Sequence, residues 1–597
     1  MAIDYQAPTK DMAFLIKHVV DLETVTGLPG YDECTDDVID AVLEEASKFA
    51  HGVISPLNSA GDQHPPRLDR EHNVTTSAGF KEGYTQYAEA GWNSLSGNPQ
   101  FEGQGLPELL ATATNEMWHS ANMSFALCPM LTAGAIHAIE HHGSDSQQAL
   151  FLPKMISGQW AGTMNLTEPQ AGSDLAAVTT KATPEGEHFL LSGIKIYITY
   201  GEHDLTENII HLVLGRLPDA PKGVKGISLF IVPKFLINTD GSLGERNDLK
   251  CLSLEHKLGI HGSPTAVMSY GESRGAIGYL VGRPHEGLSY MFTMMNHARL
   301  QVGLQGVSIS ERALQQAIWY AYDRVQGKTL IEGPAPAPIA YHPDVRRLLS
   351  SMQCRTQAMR ALTYEAAAQL DIAARHPDPN VAAHAQARAD LLIPVVKGWC
   401  TEQSIDIASM GIQVHGGMGY VEETGAAQHL RDARITTIYE GTTAIQANDF
   451  VGRKILRDQG KAFADLCEDM TQTSRTLTEH TDPDLQRLGA QLAEGINTLK
   501  RTVDWLLTQN SSDSSDLSAV FFGSVPLLMM AGDVTGGWMM ARSALACEQP
   551  ATTIEPTFAK SKKSAALLYA DMVLLPGLGR AHLIEHGQRS VDNALCL

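Results

Sequence analysis

Three short stretches of this chain combine residue types that can do chemistry. Ile435-Thr436-Thr437-Ile438-Tyr439-Glu440-Gly441-Thr442-Thr443 sets one carboxylate in an otherwise uncharged run. Withdrawal from water raises a carboxylate's pKa, which is what a general base for carbon acids requires. In Met164-Asn165-Leu166-Thr167-Glu168-Pro169-Gln170-Ala171-Gly172-Ser173-Asp174 a strand gives way to a loop rich in hydroxyls and small residues. Its backbone N–H groups and hydroxyls could hold the polar atoms of a ligand. Gln413-Val414-His415-Gly416-Gly417-Met418-Gly419-Tyr420 has glycines that let a backbone approach a ligand closely. Singly, each stretch also reads as a capping loop, a capped helix start or a tight turn.

Two further patterns point to chemistry that their context does not support. His137-Ala138-Ile139-Glu140-His141 puts two imidazoles one helical turn apart with a carboxylate between them, as in a metalloprotease signature. A zinc site needs at least three protein ligands, no further one is identifiable, and the chain has 23 histidines, so the stretch is read as a solvated helix face and no metal is assigned. Gly271-Glu272-Ser273-Arg274-Gly275 spells G-x-S-x-G, but a nucleophile elbow needs a helix after the serine, whereas Ile277 to Val281 has strand character. The serine is read as a turn residue. No Walker A or G-x-G-x-x-G loop occurs in strand-to-helix context, so any nucleotide cofactor is bound in another way.

The elements that must position these groups follow from periodicity. The pattern is helical to about residue 160, with Gly/Pro breaks such as Gly97 to Pro107. It then turns to β-branched and aromatic runs at Lys195-Ile196-Tyr197-Ile198-Thr199, Ile209 to Leu214 and Ile227 to Val232, implying a compact inserted β domain. Helical periods return after Gly287 and continue to about 458, past a lengthened Pro-rich loop at Gly333 to Pro338. Beyond Gly460, Leu485, Leu488, Leu492, Ile496, Leu499, Val503 and Leu506 advance by three or four and define one apolar helix face; the polar run Ser511 to Ser515 follows.

At 597 residues the chain has room for roughly three or four domains. The 45 Lys+Arg against 67 Asp+Glu give −22, and an acidic chain with no long basic run makes nucleic acid an unfavourable partner. The start MAIDYQAPTKDMAF has no basic segment leading into an apolar core, and no secretory signal is read. The best membrane candidate, Ala519 to Ala531, is short and contains Pro526, so no membrane span is assigned. Eight scattered cysteines, Cys34, Cys128, Cys251, Cys354, Cys400, Cys467, Cys547 and Cys596, fit reduced buried thiols and a cytoplasmic protein.

Together, in this order and at these separations, the segments resemble the acyl-CoA dehydrogenase family, with its TEPxAGSD segment, K-aromatic-IT strand, QxxGGxGY turn and IYEGT segment. The resemblance covers roughly residues 80 to 458. The larger size, the start Tyr5-Gln6-Ala7-Pro8, the stretch Glu255 to His261 and the extra C-terminal helices resemble the 3-methylmercaptopropionyl-CoA dehydrogenase subgroup. The resemblance implies an α+β multi-domain fold: an N-terminal helical domain (1–160), a central β domain (161–285), a C-terminal helical bundle carrying the base (286–460) and an additional helical domain (461–597).

It also implies FAD and removal of the α and β hydrogens of an acyl-CoA thioester, with short or medium chains, 3-methylmercaptopropionyl-CoA among them, as the expected substrates. Glu440 matches the base. Met164, Leu166, Thr167, Gly172, Ser173 and Thr199 match positions lining the isoalloxazine, with Tyr197 in the place of a common family tryptophan. Arg324, Gln413, Gly416 and Gly417 match residues reaching a neighbouring subunit's FAD, implying a homodimer or dimer of dimers, and Thr442 joins the cofactor set. Ser173, Asn296, Arg299 and Gly441 match substrate-binding positions, Asn296 and Arg299 at the start of a helix and Asn296 replacing the more usual Asp. Electrons are expected to pass to an electron-transferring flavoprotein. The alternatives are an oxygen-using acyl-CoA oxidase, a long-chain dehydrogenase and a non-catalytic CoA-binding scaffold.

Overall fold

The computed structural model describes residues 4–330, 336–511, 517–548, 554–588 and 591. Gly333 to Ala335 of the Pro-rich loop, Ser512 to Ser515 of the polar run and Cys596 lie outside the described residues. The chain divides into two compact units, one of Lys48–Leu106 and Ala121–Ala298, the other of Met1–Ser47, Pro107–Ser120 and Arg299–Leu597.

The first unit holds the sheet. Helix α1 (Met123–His142) starts where the Asn122 side chain accepts from the Phe125 N–H, and it is apolar on most of its circumference, as a helix buried on every side must be. A capping box between Ser144 and Gln147 opens α2 (Asp145–Ile156). The eight strands of the main sheet are β1 (Trp160–Asn165), β2 (Lys181–Glu185), β3 (His188–Thr199), β4 (Asn208–Arg216), β5 (Ile227–Pro233), β6 (Leu249–Leu254), β7 (Thr265–Tyr270) and β8 (Ala276–Leu280). Their order is β6-β7-β3-β8-β5-β4-β1, with β2 paired to β3 and touching β4. β1 runs parallel to β4, from Trp160↔Asn208 to Asn165↔Val213. Leu191, Ile198, Val213, Phe230, Val232, Ala266 and Met268 form the apolar core of this sheet. The Gly271 to Gly275 segment is the turn from β7 to β8, where Asp248 Oδ2 accepts from the N–H groups of Ser273, Arg274 and Gly275 at 2.7–3.0 Å.

The second unit is helical. Helix α3 (Gly287–Asp323) begins in the sheet-bearing unit and continues here from Arg299. It starts nine residues before Asn296, so Asn296 and Arg299 lie inside the helix and not at its start. The helix runs from Gly287 through Leu288-Ser289-Tyr290-Met291-Phe292 without a break. Then come α4 (Pro343–Arg375), α5 (Pro379–His415), α6 (Ala426–Thr436), α7 (Thr443–Asp449), α8 (Lys461–Thr478), α9 (Pro483–Ser511), α10 (Ser524–Ala546) and α11 (Pro556–Tyr569). The seven apolar residues from Leu485 to Leu506 are all buried along α9. α3 and α5 meet at Gly306, where a Cβ would come within 2.6 Å of the Cys400 carbonyl oxygen.

Arg360 on α4 is a buried hub. It donates to Asp11 (2.7 Å), Glu116 (2.8 Å) and Glu311 (2.6 Å), and Lys562 of α11 reaches the same Asp11. The N-terminal segment, the bundle and the last helices are thereby joined by one ionic cluster, whose members would each be costly to leave unpaired. Two helices among the described residues, Met123–His142 and Pro556–His586, are long and apolar enough to cross a membrane, and neither is the 519–531 stretch; the first is largely buried. The seven described cysteines are free thiols, all but Cys547 fully buried.

α10 packs on α5 at almost no clearance: a Cβ on Gly532 would sit 2.1 Å from Trp399 Cγ, and Trp399 Nε1 donates to Asp533 at 2.9 Å. At Gly452 a Cβ would meet Phe521 at an ordinary 3.6 Å. Gly532→Ala should therefore cost about 1–3 kcal/mol or more by overpacking. In thermal unfolding it should lower the melting temperature while Gly452→Ala leaves it essentially unchanged; equal melting of the two variants would contradict this packing.

Candidate active site

In the sheet-bearing unit the candidate residues gather at the C-terminal end of β1. Met164 is buried, and Leu166 and Thr167 are half-buried where the chain leaves the strand. Asn165 is fixed by a buried trio: Tyr270 OH donates to its Oδ1 (2.7 Å), and its Nδ2 donates to His211 Nδ1 (3.3 Å). Burial pushes His211 down to about 3, so this imidazole is a neutral acceptor at physiological pH. Thr163 Oγ1 donates to the Thr199 carbonyl (2.7 Å), tying β1 to the end of β3.

Glu168 holds the loop that follows. Its carboxylate accepts from the N–H and hydroxyl of both Thr179 and Thr180, from Gln170 and from Lys195 Nζ at 2.6–3.0 Å, and Lys195 also donates to the Leu166 carbonyl. Burial alone would raise this carboxyl, but Lys195 and the hydrogen bonds outweigh it and hold it down to about 2. The acidic residue of this segment is thus a lock that shapes the loop, leaving Gly172 and Ser173 exposed, with open space around Gly172.

β3 carries a bulge here: Ala266 and Met268 of β7 pair with Ile198 and Lys195, so β3 has one extra residue, and Tyr197 takes φ +60°. The bulge frees the Ile196 N–H to donate to the Thr167 carbonyl (2.9 Å) and leaves the Tyr197 ring 61% exposed. Opposite Thr199 on β7, the buried Thr265 hydroxyl has no partner among the described residues. Asn296, on α3, is half-buried.

In the helical unit the structure brings Glu440, Gly441 and Thr442 together with Arg299. The turn between α6 and α7 holds Glu440 at φ +55° and Gly441 at φ +87°; the first is a left-handed conformation that a glutamate rarely adopts. Thr442 caps α7 by accepting from the Ile445 N–H. Gln446 Nε2 donates to the carbonyls of Glu440 (3.0 Å) and Gly441 (3.2 Å). The Glu440 N–H donates to no described residue. Burial raises the Glu440 carboxyl above the usual range, against the opposing pull of Arg299 and Lys397. Arg299 is itself paired with Asp449 (3.1 Å) inside the protein.

Lys397 was not singled out from the sequence. It is fully buried on α5 and donates to the Gly441 carbonyl at 2.6 Å. The signal is a lysine inside Leu391-Leu392-Ile393-Pro394-Val395-Val396-Lys397-Gly398-Trp399, with no polar neighbour on either side.

A second, separate group lies at the ends of α3 and α5. His415 stacks on Tyr320 (ring centroids 4.4 Å apart), joining the last turns of the two helices. Arg324, Gln413, Gly416 and Gly417 are exposed around this junction, with open space at both glycines. His137, Glu140 and His141 share one face of α1, with possible ligand atoms within 4.8 Å of one another. Glu140 there accepts from Asn98 (2.7 Å), and His141 Nδ1 bonds the His137 carbonyl (2.8 Å).

Taken by itself, the group in the sheet-bearing unit fits the flat ring of a polar-edged cofactor, and the group at the ends of α3 and α5, taken by itself, fits a phosphate. The Thr265 hydroxyl is buried with no partner among the described residues and the exposed Tyr197 ring offers a face; in the helical unit Arg324 and two unobstructed glycines offer a cation and open backbone.

Comparison with known proteins agrees along the whole chain. Family models match for the acyl-CoA dehydrogenase N-terminal domain (residues 38–159), middle domain (163–271) and C-terminal domain (285–455), and for an acetyl-CoA dehydrogenase C-terminal-like domain (461–593). The chain is 47% identical over 575 residues, 96% of each chain, to the 3-methylmercaptopropionyl-CoA dehydrogenase of Ruegeria pomeroyi. It is 33% identical over 587 residues, 95% of each, to the broad-specificity linear acyl-CoA dehydrogenase FadE5 of Mycobacterium tuberculosis. A crystal structure of an acyl-CoA dehydrogenase complexed with FAD from Bacillus anthracis shares the fold, with a TM-score of 0.74 at 20% identity over 97% of this chain and 92% of that one.

Glu168→Gln would leave Lys195 buried without its counter-charge, a loss of about 3–5 kcal/mol. Because the folded carboxyl lies below its unfolded value, the stabilisation is fully present above the unfolded pKa, near 4.3, and is lost as pH falls towards about 2. The melting difference between wild type and Glu168→Gln should be large at pH 7, shrink below pH 4, and be partly recovered in Glu168→Gln/Lys195→Met. A pH-independent difference would contradict the ion-pair assignment.

Proposed function

The chain belongs to the acyl-CoA dehydrogenase family, and from that premise we propose that it removes the α and β hydrogens of an acyl-CoA thioester to give the 2-enoyl-CoA, with Glu440 as the base. One observation carries the reading: a carboxylate raised above its ordinary pKa by burial sits in a left-handed turn beside its own backbone N–H, which has no partner among the described residues. A thioester α C–H is very weakly acidic until its carbonyl is polarised, and a donor next to the base supplies that polarisation. The raised carboxyl suits a base working near neutral pH.

Met164, Leu166, Thr167, Gly172, Ser173 and Thr199 would hold the ring end of FAD. Arg324, Gln413, Gly416, Gly417 and Thr442 would hold the rest, the first four reaching the cofactor of a neighbouring subunit in a homodimer or dimer of dimers. When bound, the flavin supplies the acceptor for the β hydrogen, which leaves as hydride. Ser173, Asn296, Arg299 and Gly441 orient the thioester and CoA. Of these, Arg299 has part of its charge taken up by Asp449, so it acts through both the substrate and Glu440.

The relatives' names support a linear acyl group, 3-methylmercaptopropionyl-CoA first among the candidates, and we place the preference at short or medium chains. We assign an electron-transferring flavoprotein as acceptor and the cytoplasm as location. An oxidase would instead consume oxygen stoichiometrically with turnover. A methylene in an apolar pocket is worth only about 1–3 kcal/mol, so neighbouring chain lengths should overlap in activity.

The test is Glu440→Gln, which keeps size and hydrogen bonding but accepts no proton at neutral pH. The variant should stay yellow and bind acyl-CoA while anaerobic flavin reduction falls by about ten-thousand-fold. Reduction within a few-fold of wild type would require a different base.

A further inference from the structure

We propose that Lys397 is a positioning residue for this reaction: its ammonium anchors the Gly441 carbonyl and places a buried positive charge beside Glu440, so that the base keeps both its left-handed conformation and its negative charge. The proposal rests on Glu440 being the base.

Lysines on helices ordinarily carry their ammonium to water along a flexible stem, and this one does not. It is fully buried in the apolar run of α5, and its one hydrogen bond to a described residue goes to the Gly441 carbonyl (2.6 Å). That carbonyl follows directly on Glu440 and is shared with Gln446 Nε2 (3.2 Å), so two donors clamp a pair of residues that both have positive φ. Retaining a buried cation is expensive unless a counter-charge faces it.

The charges around Lys397 show which counter-charge that is. Glu440, Arg299 and Glu402 act on it. Arg299 is balanced by Asp449 of α7, which also faces Arg453, and Glu402 accepts from Thr443 Oγ1. On the other packed elements, Asp533 of α10 is taken by Trp399 and Arg580, Arg542 by Glu365, Arg355 of α4 by Gln403 and Asp406, and Arg434 of α6 donates to Thr437. Of the two carboxylates that act on Lys397, Glu440 is the stronger and Glu402, which keeps its charge while accepting from Thr443, the weaker. Burial pushes Lys397 down to about 7 against the pull of Glu440. α10 closes the other side: a Cβ on Gly398 would sit 2.4 Å from Leu528, so the extra C-terminal helices keep water from this lysine's backbone.

The experiment compares Lys397→Met, Lys397→Gln and Lys397→Arg in the full-length FAD enzyme. It follows flavin reduction against pH, acyl-CoA affinity, and the infrared band of the protonated Glu440 carboxyl, identified by its loss in Glu440→Gln. Removal of a neighbouring opposite charge should move the acid limb of the pH–rate profile and the infrared titration upward together by about one to two pH units. Below the limb this is about a ten- to hundred-fold loss of rate, with acyl-CoA affinity within a few-fold of wild type. Lys397→Gln keeps a donor without the charge and should show the same shift, and Lys397→Arg should restore much of the wild-type limb.

A limb and band that stay in place in Lys397→Met would overturn the proposal. If that variant does not fold, the same absence of shift in Lys397→Gln does so. If Glu440→Gln still reduces flavin, the base assignment itself fails. If Glu440→Gln is inactive while the lysine variants keep the wild-type limb, only the role given to Lys397 fails.

Discussion

Keeping Glu440 ionisable at a half-buried position in a strained turn costs free energy that its immediate neighbours must offset. The left-handed backbone at Glu440 adds about 1–3 kcal/mol of strain. A turn so placed would relax if the chain on either side could move. It cannot, because Thr442 caps the following helix, Gln446 and Lys397 hold the two carbonyls, and Arg299 with Asp449 closes the electrostatic balance. Strain and burial are tolerated at the same residue because both serve a base that must be reactive and fixed in direction.

Support for that arrangement reaches well beyond the turn. Lys397 is carried by α5, which lies against α3 at Gly306 and against α10 at Gly398 and Gly532. The helices beyond residue 460 therefore do more than enlarge the protein, since α10 forms the wall behind the lysine. Its own buried carboxylate, Asp533, is raised by burial to about 6 and held by Arg580 and Trp399. The Arg360 cluster, through Asp11 and Lys562, fastens the last helices and the N-terminal segment to the same bundle.

Much of this was legible in the sequence because it is written in composition and period. The apolar face from Leu485 to Leu506, the strand runs of the β domain and the isolated Glu440 all follow from local pattern. What was not legible depends on partners distant in the chain. Glu168 reads as part of a ligand loop, yet Thr179, Thr180 and Lys195 turn it into the loop's lock. Tyr197 sits in a run that alternates like any strand, and only pairing with β7 reveals the bulge and its left-handed backbone. Lys397 stands in an apolar run, but nothing local shows that α10 and the Glu440 turn enclose it, and Gly532 carries no local sign that an indole lies against it.

The central claim is that Glu440 removes the α proton of the acyl-CoA, and it can be tested apart from electron transfer. With the flavin reduced beforehand, no net oxidation competes, and exchange of the substrate's α hydrogens with heavy water can be followed by proton NMR. The wild-type protein should wash out the α-methylene signal while leaving the β position untouched, and Glu440→Gln, still holding flavin and acyl-CoA, should exchange no faster than the free thioester. Exchange at the wild-type rate in Glu440→Gln would contradict the account.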